Sequence, residues 1–174
     1  MDGIELEYWD SCVFLALLQE ETHKSGELEY LKKQARKFDI GALAIVTSSI
    51  ALTEIFEARL SDENKAKFRS MYTRSNFQFI DASVQICQLA SEIRGHYKIS
   101  PIDGLYPSTP DAIHVASAIV AQSNSKSELF LITFDDENKK KEIALTKLSG
   151  LVASKYKLTI CRPPIKDMQH ELEV

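Results

Sequence analysis

Short apolar runs alternate with longer stretches of helical periodicity along most of this chain. The apolar runs have the length of strands and lie at 4–10, 43–47, 77–80, 128–134 and 157–161. Between them, apolar residues recur at three- and four-residue spacings, which predicts helices that cover the faces of a sheet. This alternation is typical of βαβ units. We therefore predict an α/β fold, a three-layer α/β/α domain with a mainly parallel sheet of about five strands.

Polar residues and prolines predict where the helices begin and where they are interrupted. Residues suited to capping precede four helical patterns, at Ser11, Ser49, Ser61 and Asp81. The segment 99–110 contains three prolines and a glycine, which predicts a loop. At the end of this loop, Thr109 suits the cap of a helix and Pro110 its first position. Asp111 then falls in the first turn, where the helix dipole favours an anion.

The length and composition indicate one ordinary globular domain. The chain has 174 residues, of which 44% are hydrophobic and 26% are charged. Domains most often contain about 100 to 150 residues, so a second core would have too little material. We predict one domain over residues 1–163, followed by a tail at 164–174 that we expect to be partly disordered.

The charge and the cysteines exclude some classes of protein and indicate a location. A net charge of −4 argues against a protein that coats duplex nucleic acid with a basic face. It does not exclude a nuclease, because site carboxylates lower the formal charge and bound cations reverse it locally. The odd, widely spaced set of Cys12, Cys87 and Cys161 suggests buried thiols in a reducing compartment. No apolar run approaches the roughly 18 residues of a membrane span, and we expect a cytoplasmic protein without a membrane partner.

Acidic residues occupy four junctions between the predicted elements. Asp10 follows the first strand, Glu54 lies one turn into a helix, Asp111 opens another helix, and Asp135 or Asp136 closes the fourth strand. The carboxyl ends of parallel strands share one edge of the sheet, where α/β proteins bind their ligands. Two carboxylates about 5 Å apart repel by roughly 3 kcal/mol at an effective dielectric constant near 20, so a shared site favours a cation. Oxygen ligands select Mg²⁺ or Mn²⁺ over zinc or copper.

Simpler explanations exist for each acid taken singly. Asp111 and Asp10 could be helix caps or dipole partners, and Glu54 could lie on a solvated edge. The joint pattern favours an acidic metal site, and a hard cation beside a phosphate points to phosphodiester hydrolysis. A phosphoacceptor receiver domain is a rival α/β protein with clustered acids. It needs an acidic pair after the first strand, where this chain has Ser11 and Cys12.

Four segments together resemble the PIN domain family, with the closest likeness to VapC-type toxin ribonucleases. They are Tyr8-Trp9-Asp10-Ser11, Ser49-Ile50-Ala51-Leu52-Thr53-Glu54, Pro110-Asp111-Ala112-Ile113-His114-Val115-Ala116-Ser117-Ala118 and Ile132-Thr133-Phe134-Asp135. The resemblance covers about 4–163, and the order and spacing of the four segments make it specific. It implies a Mg²⁺- or Mn²⁺-dependent endoribonuclease that acts on single-stranded or structured RNA. By position, the catalytic and metal-binding residues would be Asp10, Glu54, Asp111 and Asp135.

Accessory residues lie beside these four acids. Thr133 matches a hydroxyl residue that the family often has near its fourth acid, and Asp136 remains an alternative to Asp135. His114 is one turn after Asp111 and could bind its carboxylate or a substrate phosphate, although a packed histidine is the simpler interpretation. Residues suited to RNA contact are the arginines, which pair with phosphate, and an aromatic ring for base stacking. The candidates are Arg59, Arg74, Arg94 and Tyr106.

The resemblance also implies protein partners. A VapC-like toxin would bind an antitoxin, which we expect to occupy a groove near positions 59 to 74, and would form a homodimer. The alternative is a non-catalytic PIN module that binds RNA or protein. The presence of all four acids favours the nuclease.

Overall fold

One sheet of five parallel strands forms the centre of the computed structural model, which describes residues 4–22, 24–125 and 128–163. The strands are β1 (Glu5–Trp9), β2 (Leu43–Ser48), β3 (Phe77–Ile80), β4 (Phe130–Ile132) and β5 (Thr159–Cys161). Their order across the sheet is β3-β2-β1-β4-β5, and each strand is parallel to its neighbours. The predicted parallel sheet is confirmed. The expected tail at 164–174 lies outside the described residues.

Helices connect successive strands. They are α1 (Ser11–Gln19), α2 (Glu27–Asp39), α3 (Ile50–Glu57), α4 (Asp62–Tyr72), α5 (Val84–Ile99), α6 (Thr109–Asn124), a short 3₁₀ helix (Leu145–Leu148) and α7 (Ser149–Tyr156). Ser61 and Ser83 cap α4 and α5 by accepting hydrogen bonds from the backbone N–H groups of the first turn. At α1 the cap is Asp10 rather than Ser11. The sequence pattern did not predict the 3₁₀ helix or α7.

The sheet separates two apolar layers, as expected for three-layer architecture. Successive residues of a strand point to opposite faces, so Tyr8 packs with α5 and α6 while Trp9 packs with α1 and α4. Both side chains are completely buried. Of the three cysteines, Cys87 is exposed, contrary to the expected burial.

The order of the strands decides where a ligand can bind. The chain passes from β1 to β2 on one side and later returns to place β4 on the other side of β1. Such a reversal leaves a crevice beyond the carboxyl end of the central strand. Asp10 is the residue that directly follows β1. In the described part of the chain, no helix combines the length and apolar character needed to cross a membrane.

Candidate metal centre

The carboxylate of Asp10 is held at the end of β1 by three neighbours. Its Oδ1 atom accepts a hydrogen bond of 2.7 Å from the backbone N–H of Ser11, which caps α1. Its Oδ2 atom accepts hydrogen bonds from the Thr133 hydroxyl at 2.8 Å and from the Cys12 thiol at 3.1 Å. Asp10 is only 6% exposed. These contacts give the carboxylate one orientation, directed into the crevice.

Thr133 connects the ends of two neighbouring strands. Its buried hydroxyl donates to Asp10 and accepts a hydrogen bond of 3.0 Å from the backbone N–H of Asp135. The hydroxyl thereby links the residue after β1 to the segment after β4. Thr133 therefore lies in direct contact with Asp10.

His114 on α6 contacts two acids, although neither is the expected Asp111. Its Nε2 atom lies 2.8 Å from Glu54 Oε2 and 3.4 Å from Asp10 Oδ1. Its Nδ1 atom lies 2.9 Å from the Tyr8 hydroxyl. Burial lowers the pKa of the imidazole, but the charge of Asp10 and the hydrogen bond to Glu54 outweigh it, so the pKa is raised. His114 is therefore part of the acidic cluster and more than a packed helix residue.

Asp111 closes a capping box at the start of α6. Its carboxylate accepts hydrogen bonds from the Ser108 hydroxyl at 2.5 Å and the Ser108 backbone N–H at 3.3 Å, while its own N–H donates to the Ser108 hydroxyl. The cap is thus Ser108 and not Thr109, because only the three-residue spacing to Asp111 satisfies both backbone N–H groups. Burial raises the pKa of Asp111, the Ser108 hydrogen bond lowers it, and the charges of Asp10 and Asp135 raise it further. Asp111 thus combines the capping role with closeness to the other acids.

Asp135 and Asp136 have different environments. Asp135 accepts a hydrogen bond from the backbone N–H of Leu145. Burial is the largest cause of its raised pKa, and the charge of Asp10 raises the pKa further. Asp136 pairs with Lys24 at 2.8 Å and with Arg162 at 2.6 Å, and the Lys24 contact chiefly lowers its pKa. Asp135 is the one electrostatically coupled to the acids of the crevice, and Asp136 lies in an ion-pair network beside it.

Within the described residues, Asp10, Glu54 and His114 form a group of side chains that could hold a metal ion. One donor atom from each residue lies within 4.8 Å of the others. Two carboxylates and an imidazole suit a divalent cation, so the residues present fit the metal that the sequence led us to expect. The donor set differs from the expected oxygen-only set, because it includes the His114 nitrogen.

The four candidates for RNA contact do not form one group, although two of them are in contact. Arg94 and Tyr106 are neighbours, with the guanidinium 5.5 Å from the ring centre and its Nε donating to the Pro107 carbonyl. Arg59 is exposed in the link between α3 and α4. Arg74 pairs with Asp39 at 3.2 Å and lies three residues before the start of β3, so it lies at the amino ends of the strands. The acids lie at the opposite edge of the sheet, which separates Arg74 from them.

Three residues that contribute to the candidate metal centre were not predicted from the sequence. Ser108 could have been found, since its spacing to Asp111 is that of a capping box. Tyr8 and Cys12 gave no such signal, because each reads as an apolar residue beside a strand end. Their contacts with His114 and Asp10 depend on neighbours that are distant in the chain or on side-chain direction.

Comparisons with known proteins agree with this fold. The family model described as PIN domain matches residues 8–143. The crystal structure of VapBC2 from Rickettsia felis, bound to a DNA fragment from their promoter, has a TM-score of 0.53 at 15% identity and covers 90% of this chain and 98% of that chain. DNA-bound VapBC from Salmonella typhimurium has a TM-score of 0.53 at 13% identity, with 91% and 98% covered. No curated protein matches the chain in sequence.

Proposed function

Because the chain belongs to the PIN domain family, we propose that it is a metal-dependent endoribonuclease that hydrolyses phosphodiester bonds in single-stranded or structured RNA. The observation that carries this proposal is the convergence of Asp10, Glu54 and His114 within 4.8 Å, beyond the carboxyl ends of the strands. Asp111 and Asp135 are electrostatically coupled to Asp10 in the same crevice. The mutual repulsion of such a cluster of carboxylates favours the binding of a cation.

Each acid has a role in this proposal. We propose that Asp10 and Glu54 hold the cation, Mg²⁺ or Mn²⁺, and that Asp111 and Asp135 are the further acids of the metal site. A bound divalent cation would offset charge on the phosphate and activate water for attack. Thr133 keeps Asp10 in position through its hydrogen bond. Asp135 is proposed as the fourth acid in place of Asp136, whose carboxylate is already paired with Lys24 and Arg162.

We propose that substrate contacts come from Arg94, Tyr106 and Arg59. Arg94 and Tyr106 are adjacent and could bind a phosphate and stack on a base. Arg59 is exposed on the link that follows the helix of Glu54. Arg74 is not proposed for substrate binding, because it lies at the opposite edge of the sheet and is paired with Asp39.

We further propose that the protein is the toxin of a toxin–antitoxin pair and acts in the cytoplasm. The support is the fold shared with the VapBC complexes of two bacteria. The partners would then be an antitoxin protein, near positions 59 to 74, and a second copy of this chain in a homodimer. Analysis of the mass of the purified protein, alone and after co-expression with the reading frames that flank its gene, tests both partners. A lone monomer under these conditions would contradict both.

Incubation with a labelled structured RNA tests the nuclease. We expect cleavage by the wild type with Mg²⁺ or Mn²⁺, none in the presence of a chelator, and none from Asp10→Asn. Asp135→Asn and Asp136→Asn form a matched pair, of which only Asp135→Asn should lose cleavage. Equal cleavage by wild type and Asp10→Asn would refute the proposal. RNA binding without cleavage would support the alternative, a non-catalytic PIN module.

A further inference from the structure

The imidazole of His114 lies between the carboxylates of Asp10 and Glu54, at the enclosed end of the candidate metal centre. Its Nε2 atom is 2.8 Å from Glu54 Oε2 and 3.4 Å from Asp10 Oδ1. The His114 side chain is 1% exposed, whereas Glu54 keeps 31% of its side-chain surface exposed. Three donor atoms therefore meet in a site that opens towards solvent at Glu54. They come from the end of β1, from α3 and from α6.

The spacing of these atoms is that of neighbouring ligands around one small cation. Ligand atoms about 2.1 Å from a divalent ion and at right angles to one another lie roughly 3 Å apart. The separations of 2.8 and 3.4 Å fall on either side of this value. A hydrogen bond accounts for the contact with Glu54, but the approach to Asp10 is long for one. Both distances are also compatible with a cation bound by His114, Asp10 and Glu54.

The opposite side of the imidazole is held in a way that suits a metal ligand. Nδ1 lies 2.9 Å from the hydroxyl of Tyr8, and the two rings meet edge to face at 86°. Tyr8 is completely buried on β1, two residues before Asp10. Because a tyrosine hydroxyl can accept as well as donate, Nδ1–H can donate to Tyr8 and leave the Nε2 lone pair directed at the carboxylates. Histidine ligands in metal sites typically have such a partner on the second nitrogen, which fixes the ring.

We propose that His114 Nε2 is a ligand of the cation held by Asp10 and Glu54, and that this nitrogen makes the site prefer a first-row transition ion over Mg²⁺. The inference deepens the proposed function, on whose metal site it rests. Imidazole binds transition ions well, whereas Mg²⁺ takes oxygen ligands almost exclusively. The preference would therefore come from one residue of α6, and Mn²⁺ serves as its probe.

Pulsed electron paramagnetic resonance of Mn²⁺ bound to the full-length protein tests the ligand directly. We expect an electron–nuclear coupling to nitrogen in the wild type, which changes when the protein is made with isotopically labelled histidine. The coupling should vanish in His114→Gln and persist in His96→Gln, a control on the exposed surface of α5. The proposal is overturned if Mn²⁺ binds the wild type without nitrogen coupling, or does not bind. This test uses the wild type alone and does not depend on the folding of any variant.

Calorimetric titration with Mn²⁺ and Mg²⁺ tests the preference. The ratio of the two affinities should favour Mn²⁺ in the wild type and fall by about tenfold or more in His114→Gln. Tyr8→Phe keeps the ligand but loses its orienting partner, so Mn²⁺ affinity should fall about tenfold while the nitrogen coupling remains. An unchanged ratio in His114→Gln would contradict the proposal. Nitrogen-coupled Mn²⁺ without RNA cleavage would refute only the proposed nuclease activity. RNA cleavage without nitrogen coupling would refute only the proposal that His114 is a metal ligand.

Discussion

Replacement of Thr133 by valine removes one hydroxyl from the candidate metal centre and changes the side-chain volume little. That hydroxyl donates to Asp10 Oδ2 at 2.8 Å and accepts from the backbone N–H of Asp135 at 3.0 Å. Thr133 is completely buried, so water has little access to replace it. The variant therefore isolates the contribution of a single hydrogen-bonding group that joins two of the four acids.

The expected loss of stability follows from these two contacts. A hydrogen bond to a charged group contributes about 1.5–3 kcal/mol, and one to a neutral backbone group about 0.5–1.5 kcal/mol. Thr133→Val should therefore lower the free energy of unfolding by about 3 kcal/mol. Thr133→Ser keeps the hydroxyl and loses one methyl group, which should cost about 1 kcal/mol.

Urea unfolding of the three proteins in a chelator, at neutral pH, measures this difference without metal binding. With a denaturant dependence near 2 kcal/mol per molar, the valine variant should unfold at roughly 1.5 M less urea than the wild type. RNA cleavage by Thr133→Val should also fall, because Asp10 loses its orienting donor. A valine variant as stable as the serine variant would refute the reasoning and assign the orientation of Asp10 to Ser11 and Cys12 alone.

Three further predictions concern charged side chains. Burial and the charges of neighbouring acids raise the pKa of Asp111, so ionisation of this carboxyl destabilises the folded protein. Asp111→Asn should therefore raise the midpoint of thermal unfolding in a chelator by about 2–4 °C, which corresponds to about 1 kcal/mol. Asp111→Ala should lower it, because alanine also loses the hydrogen bonds from Ser108; a lower midpoint for both variants would contradict the expected repulsion. Burial also raises the pKa of Glu7, so the wild type should lose stability as the pH rises from about 4.5. The free energy of unfolding of Glu7→Gln, measured across the same pH range, should fall less steeply. Arg162→Met removes the guanidinium partner of the fully buried Glu27 carboxylate and should lower the free energy of unfolding in urea by about 3 kcal/mol. An unchanged value would show that the other contacts of Glu27 are enough to stabilise its charge.

Local rules explain why the helices and strands could largely be predicted. Periodicity and capping residues act within a few positions, so the strand before Asp10 and the loop before Asp111 were found from nearby residues alone. The same rules explain the failures. Thr109 was predicted as the cap because it precedes Pro110, yet Ser108 has the spacing that satisfies two backbone N–H groups. The last crossover helix, α7, has weak apolar periodicity between charged residues and gave no clear pattern.

By itself, the sequence determined most of the elements, the parallel direction of the strands that their alternation with helices implies, and the placement of acids at strand ends and helix starts. Only the tertiary structure decided which atoms meet there. Residue His114 contacts Glu54 and Asp10 rather than Asp111, because β1 lies beside β2 and α6 packs against β2. Likewise, Asp135 is coupled to Asp10 while Asp136 pairs with Arg162, because the register of β4 and β5 sets the surroundings of each carboxylate. Such contacts join residues far apart in the chain, and local propensity contains no information about them.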